Sequence, residues 1–231
     1  MKALFNVAAA LMLCAAVQAQ NDVTKFLGIP VDGSKSEMIS KLKAKGFTDD
    51  PYLTGGLVGE FNGVDVNVYV ITNKDKVWRI MVCDKTPIDE TGIRIRFNTL
   101  CQQFLNNDNY MPASTSPSAY TLPAGENISY EMSVNKKRYE AVFWQMPADT
   151  ATVNAEHVKE TRAIINSKYS EEQLANPTDE IVNDVISISY AVMAEKYSVK
   201  SVWFTISDYA GQYYITMYYD NEYNKANGED L

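Results

Sequence analysis

One histidine, three cysteines, eight prolines and eleven glycines among 231 residues leave little from which familiar catalytic centres are built. A single histidine makes Ser-His-Asp or Cys-His catalysis depend on His157. It sits in the polar stretch NAEHVKETR, where a solvent-facing helical residue is expected. The chain has no GxSxG elbow, P-loop, dinucleotide fingerprint or HExxH sequence, and no cofactor is expected. Scarce glycine and proline exclude collagen-like and long-linker architectures. Basic residues are also few, 21 against 29 acidic, for a net charge of −8. That balance argues against nucleic acid as a partner, because binding there draws on neutralised phosphates. What remains is ordinary for a globular chain, 46% apolar and 22% charged, and long enough for one large domain or two small halves.

The N-terminus is the most specific feature. Among the first 19 residues only Lys2 is charged, and an apolar run extends from Ala3 to Val17. Val17-Gln18-Ala19 places small residues one and three positions before a cut, so a signal peptide cleaved after Ala19 is expected, with a periplasmic or secreted product. The run is shorter than the roughly 20 residues that span a bilayer, and no later run approaches it, so no integral membrane segment is expected after cleavage. Cys14 follows the large Leu13, where a lipobox takes a small residue. Cys83 and Cys101 remain. In an oxidising compartment they either pair, closing a loop worth about 3 kcal/mol in the chain-entropy model, or stand as two buried thiols. Without a CxxC they do not make a metal site.

Ser34-Lys35-Ser36-Glu37 reads as a capping box opening a helix over 35–45 that Gly46 ends. Asn62-Gly63 between apolar runs predicts a hairpin. Val64, Val66, Val68 and Val70 alternate as a one-sided strand, and in the next strand Trp78, Ile80 and Val82 are expected to share a face. A helix over 87–106 carries Ile93, Phe97, Leu100, Cys101 and Phe104 on one stripe. Strands are expected over 128–134 and 139–146 around Asn135-Lys136-Lys137-Arg138, a turn similar to Asn73-Lys74-Asp75-Lys76, which raises an internal duplication. Helical segments follow over 154–166 and 170–175, and a firmer one is capped by Thr178. A last hairpin joins 199–207 to 212–220. The fold class is α+β: antiparallel meanders and hairpins with helices packed on one face, possible as two similar α/β halves. The division is an α-βββ-α half over 20–110, a proline-rich connection over 111–123 and a ββ-α-ββ half over 124–231, or one continuous domain.

Two stretches carry candidate sites. Tyrosine is abundant, and on the last strand Tyr213 and Tyr219 fall on one face, Tyr214 and Tyr218 on the other. One face is core; the other, with Trp203, offers an aromatic row for a protein or glycan. Asp220, Glu222 and Asn224 place oxygens at alternate positions, as a calcium loop does, though Lys225 occupies the sixth position that should be glycine. Adjacent acids such as Asp49-Asp50, Asp89-Glu90 and Glu171-Glu172 would point in different directions on helices and carry no weight; the alternative reading is a carboxylate-based or metal-assisted hydrolase of the periplasm.

The leader, the Phe26-Leu27-Gly28-Ile29-Pro30-Val31 start and the tyrosine-rich ending at Asp220-Asn221 resemble uncharacterised secreted proteins of Gram-negative bacteria. In architecture, a helix followed by a strand meander is similar to the β-lactamase-inhibitor-like fold. The first resemblance implies export and brings no known activity; with no catalytic motif in the chain, the expectation is a non-catalytic exported binding protein whose aromatic sheet face contacts a protein or glycan.

Overall fold

The computed structural model describes residues 21–52 and 54–226. The expected leader, Cys14, the cleavage point and the acids beyond Ala226 lie outside the described residues.

A small ribbon, β1 (Lys25–Phe26) and β2 (Ile29–Pro30), precedes α1 (Lys35–Ala44). Ser34 caps α1 as expected: the Glu37 N–H donates to Ser34 Oγ at 3.3 Å and the Ser34 N–H to Glu37 Oε2 at 3.2 Å. The strands β3 (Thr48–Asp49), β4 (Gly56–Phe61), β5 (Val64–Asn73) and β6 (Lys76–Asp84) then meander, and α2 (Glu90–Leu105) follows, capped by Asp89. Next come β7 (Tyr110–Pro112), α3 (Ile128–Ser133), β8 (Glu140–Gln145), α4 (Thr150–Lys168), α5 (Glu171–Ala175), α6 (Asp179–Tyr197), β9 (Ser201–Tyr209) and β10 (Gln212–Asp220). No described helix is long and apolar enough to cross a membrane.

Eight strands form one antiparallel sheet in the order β3-β4-β5-β6-β10-β9-β8-β7. A helix followed by four antiparallel strands therefore occurs twice, α1 with β3–β6 and α2 with β7–β10, the two runs meeting where β6 pairs with β10. In this arrangement the β5–β6 turn corresponds to the β9–β10 turn, not to the Asn135 turn. The central residues of both turns, Lys74-Asp75 and Ala210-Gly211, have positive φ, the requirement of a two-residue hairpin. The second run is interrupted by α3 and by the antiparallel pair α4 and α6, which projects from the sheet with few buried residues.

Helices α1 and α2 cover one face. Their Met38, Leu42, Ile93, Phe97 and Leu100 meet Val66, Val68, Ile80, Phe143, Phe204 and Ile215 in a single core. Phe97 meets Phe204 edge-on at 5.2 Å, and Phe104 stacks on Phe143 at 4.7 Å. Truncating such a ring costs about 3–5 kcal/mol.

Three sequence expectations change. The segment 128–133 is a helix, not a strand: Asn127 Oδ1 accepts the Tyr130 N–H, and Glu90 Oε1 accepts the Ile128 N–H from 38 residues away. β8 consequently pairs with β7 and β9 and has no hairpin partner before it. Trp78 does not share a face with Ile80 and Val82, because the register slips between Ile71 and Thr72 and leaves Trp78 as an extra residue. Val77 and Ile80 are both fully buried, and Trp78 turns to the opposite side. His157 does not face solvent. It is half-buried between α4 and α6, with Nε2 3.0 Å from the Ser189 carbonyl oxygen.

Candidate functional site

Alternation along the central strands decides which side chains reach the second face of the sheet. On β10 the core takes Tyr213, Ile215, Met217 and Tyr219, leaving Tyr214, Thr216, Tyr218 and Asp220 on the other side. On β9 it takes Val202, Phe204 and Ile206, leaving Trp203, Thr205 and Ser207. β5 and β6 add Tyr69, Ile71, Arg79, Met81 and Cys83 by the same rule, with Trp78 admitted by the bulge. Among the described residues no helix packs over the middle of this face. Only Trp144, near its β8 margin, is covered, by Tyr190 and Tyr197 of α6.

At its centre is an ion pair enclosed by rings. Arg79 Nε and Nη2 donate to the two oxygens of Asp220, each at 2.6 Å, and Trp203 Nε1 donates to Asp220 Oδ2 at 3.0 Å. The guanidinium lies 4.3 Å from the Trp78 ring centre and 4.6 Å from that of Tyr218. Trp203 and Tyr218 stack at 4.1 Å with 22° between their planes. Each of these five side chains contacts another of the group, so their arrangement is formed before anything touches it. Ser207 and Thr216 hydroxyls hydrogen-bond to each other at 3.0 Å beside it. Burial raises the pKa of Tyr218, and of Cys83 as well, where the Thr216 hydroxyl opposes the shift.

The expected site residues separate cleanly. Trp203, Tyr214 and Tyr218 stand together on the open face, whereas Tyr213 and Tyr219 are core residues and present no exposed surface there. Tyr219 packs on Phe26 at 4.9 Å, and complete burial holds its phenol well above its ordinary range. The metal reading is not supported. Asp220 spends both oxygens on Arg79 and Trp203, Glu222 pairs with Lys225 at 3.1 Å, and Asn224 Nδ2 donates to Asp32 and the Val77 carbonyl. Among the described residues no three His, Cys, Asp or Glu side chains converge to hold a metal. Cys83 and Cys101 are free thiols on opposite sides of the sheet, so the pairing is not made; burial raises Cys101 to about 12.

Sequence reasoning missed Arg79 and Trp78. The pairing of Arg79 with Asp220 spans 141 positions and leaves no local mark, although the alternation of Arg79, Met81 and Cys83 against Ile80 and Val82 already assigns those three to one side.

Among the described residues the carboxylates with displaced acidity move downward. In Asp22 desolvation is outweighed by the Ala148 N–H and Lys200. Glu37 and Asp149 are held down by helix-cap N–H groups, Glu126 by Lys137 and Tyr139, and Asp184 by Lys168 and Tyr169. These are structural carboxylates, and a general acid working near neutrality needs the opposite shift. Fold and surface thus define an antiparallel α+β protein with one helix-clad face and one half-buried aromatic face whose middle no described helix covers. No family model, curated protein or solved structure matches the chain.

Proposed function

We propose that the chain is an exported binding protein without catalytic chemistry, and that it holds a partner protein against the open sheet face. The observation that carries this reading is the pre-formed platform of Trp203, Tyr218, Trp78 and Arg79 around Asp220. Tryptophan, tyrosine, methionine and arginine are the side chains enriched at protein interfaces, and pre-organised ones lose little entropy on binding. A protein fits better than a glycan here. The neighbouring hydroxyls of Ser207 and Thr216 are engaged with each other, while Ile71, Met81 and Tyr69 extend the apolar surface. The downward-shifted carboxylates support the non-catalytic reading over a carboxylate hydrolase. Export rests on the leader sequence.

The test is affinity capture from periplasm with the tagged chain, comparing the wild type with the Tyr214→Ser/Tyr218→Ser variant at matched melting temperature. A stoichiometric partner lost in the variant is the expected result. The same partner captured equally by both overturns the assignment to this face, and retention on a neutral polysaccharide abolished by the variant shifts the reading to glycan.

A further inference from the structure

We propose that the chain binds an uncharged saccharide in a second site, a cleft at the end of the sheet between the β1–β2 turn, the α2–β7 loop and the segment joining β8 to α4. This goes beyond the sheet-face reading and does not depend on it. The cleft encloses about 660 Å³, within the usual range for small-ligand sites of roughly 300–1,000 Å³. Its walls are tied together without a ligand. Gln145 accepts the Lys25 N–H at 2.7 Å and donates to the Lys25 carbonyl at 3.1 Å. The Met146 N–H donates to the Asn109 carbonyl at 2.8 Å, and the Ala148 N–H to Asp22 at 2.7 Å.

Within these walls several hydrogen-bonding groups remain unspent. The Tyr110 hydroxyl oxygen accepts from Gln145 Nε2 at 3.3 Å and pairs with the buried Tyr219 hydroxyl, and burial raises both phenols. A phenol hydroxyl donates once and accepts up to twice, so one site on Tyr110 stays open whichever tyrosine donates to the other. Lys200, buried at the cleft, donates to Asp22 at 2.9 Å and to the Met146 carbonyl at 3.1 Å, which leaves one of its three N–H groups. Asp108, at the rim, makes no ion pair among the described residues and supplies acceptors.

The class of ligand follows from balance. Lys25 and Lys200 are offset by Asp22 and Asp108, so the cleft has no net charge to attract an anion. Donors and acceptors occur together, as hydroxyl groups demand. Apolar surface is there too, in Phe61, fixed against Phe26 at 5.2 Å, and Leu27 at the mouth. Leu27 occupies the left-handed region at φ +51° and is 38% exposed, where a turn alone would favour asparagine or glycine. A leucine kept there against backbone strain gives the C–H face of a sugar ring a surface to rest on.

The experiment is a titration of isotope-labelled chain, read by amide chemical shifts, with glucose, galactose, N-acetylglucosamine, maltose and cellobiose, and with inorganic phosphate as the anion probe. Saturable shifts at Asn109, Tyr110 and Ala148 with at least one sugar are expected. Tyr110→Phe should weaken that affinity about tenfold, the equivalent of one hydrogen bond near 1.4 kcal/mol. Because Tyr110→Phe also strips Tyr219 of its hydroxyl partner, Asp108→Ala, on an exposed turn, is the second variant and should weaken binding with an unchanged melt. No shift with any of the sugars, shifts with phosphate alone, or unaltered affinity in both variants overturns the proposal.

Discussion

Replacing Asp220 with alanine tests whether the open face is organised by its ion pair. The substitution removes two guanidinium contacts at 2.6 Å and one indole contact at 3.0 Å. Asp220 is 4% exposed at its side chain and Arg79 19%, so water replaces little of what is lost. Breaking a buried pair from one side costs about 3–5 kcal/mol, and the orphaned Trp203 N–H adds about 1–3 kcal/mol. The rings of Trp78 and Tyr218 hold the guanidinium in both proteins and so offset none of this loss. A net loss of about 4–8 kcal/mol is expected, against about 1–3 kcal/mol for Asp220→Asn, which keeps one acceptor. Arg79→Met/Asp220→Ala should cost less than the sum of its single changes, because no charge is left unpaired. Urea unfolding followed by tryptophan fluorescence reads all four proteins, with Trp203 as a local reporter. A loss under about 1 kcal/mol for Asp220→Ala, or strict additivity in the double variant, refutes the reasoning.

Three further outcomes follow from packing, turn geometry and burial. A Cβ at Gly59 would lie 2.6 Å from the Phe47 ring, so Gly59→Ala should cost about 1–3 kcal/mol in urea, and Phe47→Leu should recover part of it. Ala210 holds φ +53° ahead of Gly211, and Ala210→Asn, which restores the preferred Asn-Gly turn, should stabilise by about 0.5–1 kcal/mol; a lower melting temperature would contradict this. The chain should gain no hydrogen mass on reduction, and native Cys101, raised to about 12, should resist thiol reagents until unfolding; rapid labelling at pH 8 would count against its burial.

Local chemistry made much of the fold legible. Ser34 with Glu37, Thr178 ahead of α6 and Asn62-Gly63 each carry their geometry in neighbouring residues, and the structure places a cap or turn at each. The alternation in β10 likewise separated Tyr213 and Tyr219 from Tyr214 and Tyr218. Which pair lay inside depended on Phe26, nearly two hundred positions away, and no strand pattern encodes that. The segment 128–133 failed for a similar reason: six residues are too few to show helical periodicity, and a distant glutamate satisfies its first N–H. The site was half legible: alternation grouped Tyr214 with Tyr218, whereas Trp78 depended on a bulge and the ion pair on the β6–β10 contact.

The central claim, that the aromatic sheet face is the binding surface, is tested most directly by site-specific photo-crosslinking in the cell that produces the chain. A photoreactive residue replaces Tyr214 or Tyr69 on that face, or Ile95 on the exposed side of α2 as a control. The expected result is one discrete protein adduct from both sheet positions and none from Ile95. Adducts absent from the sheet positions, or equal at all three, would contradict the account.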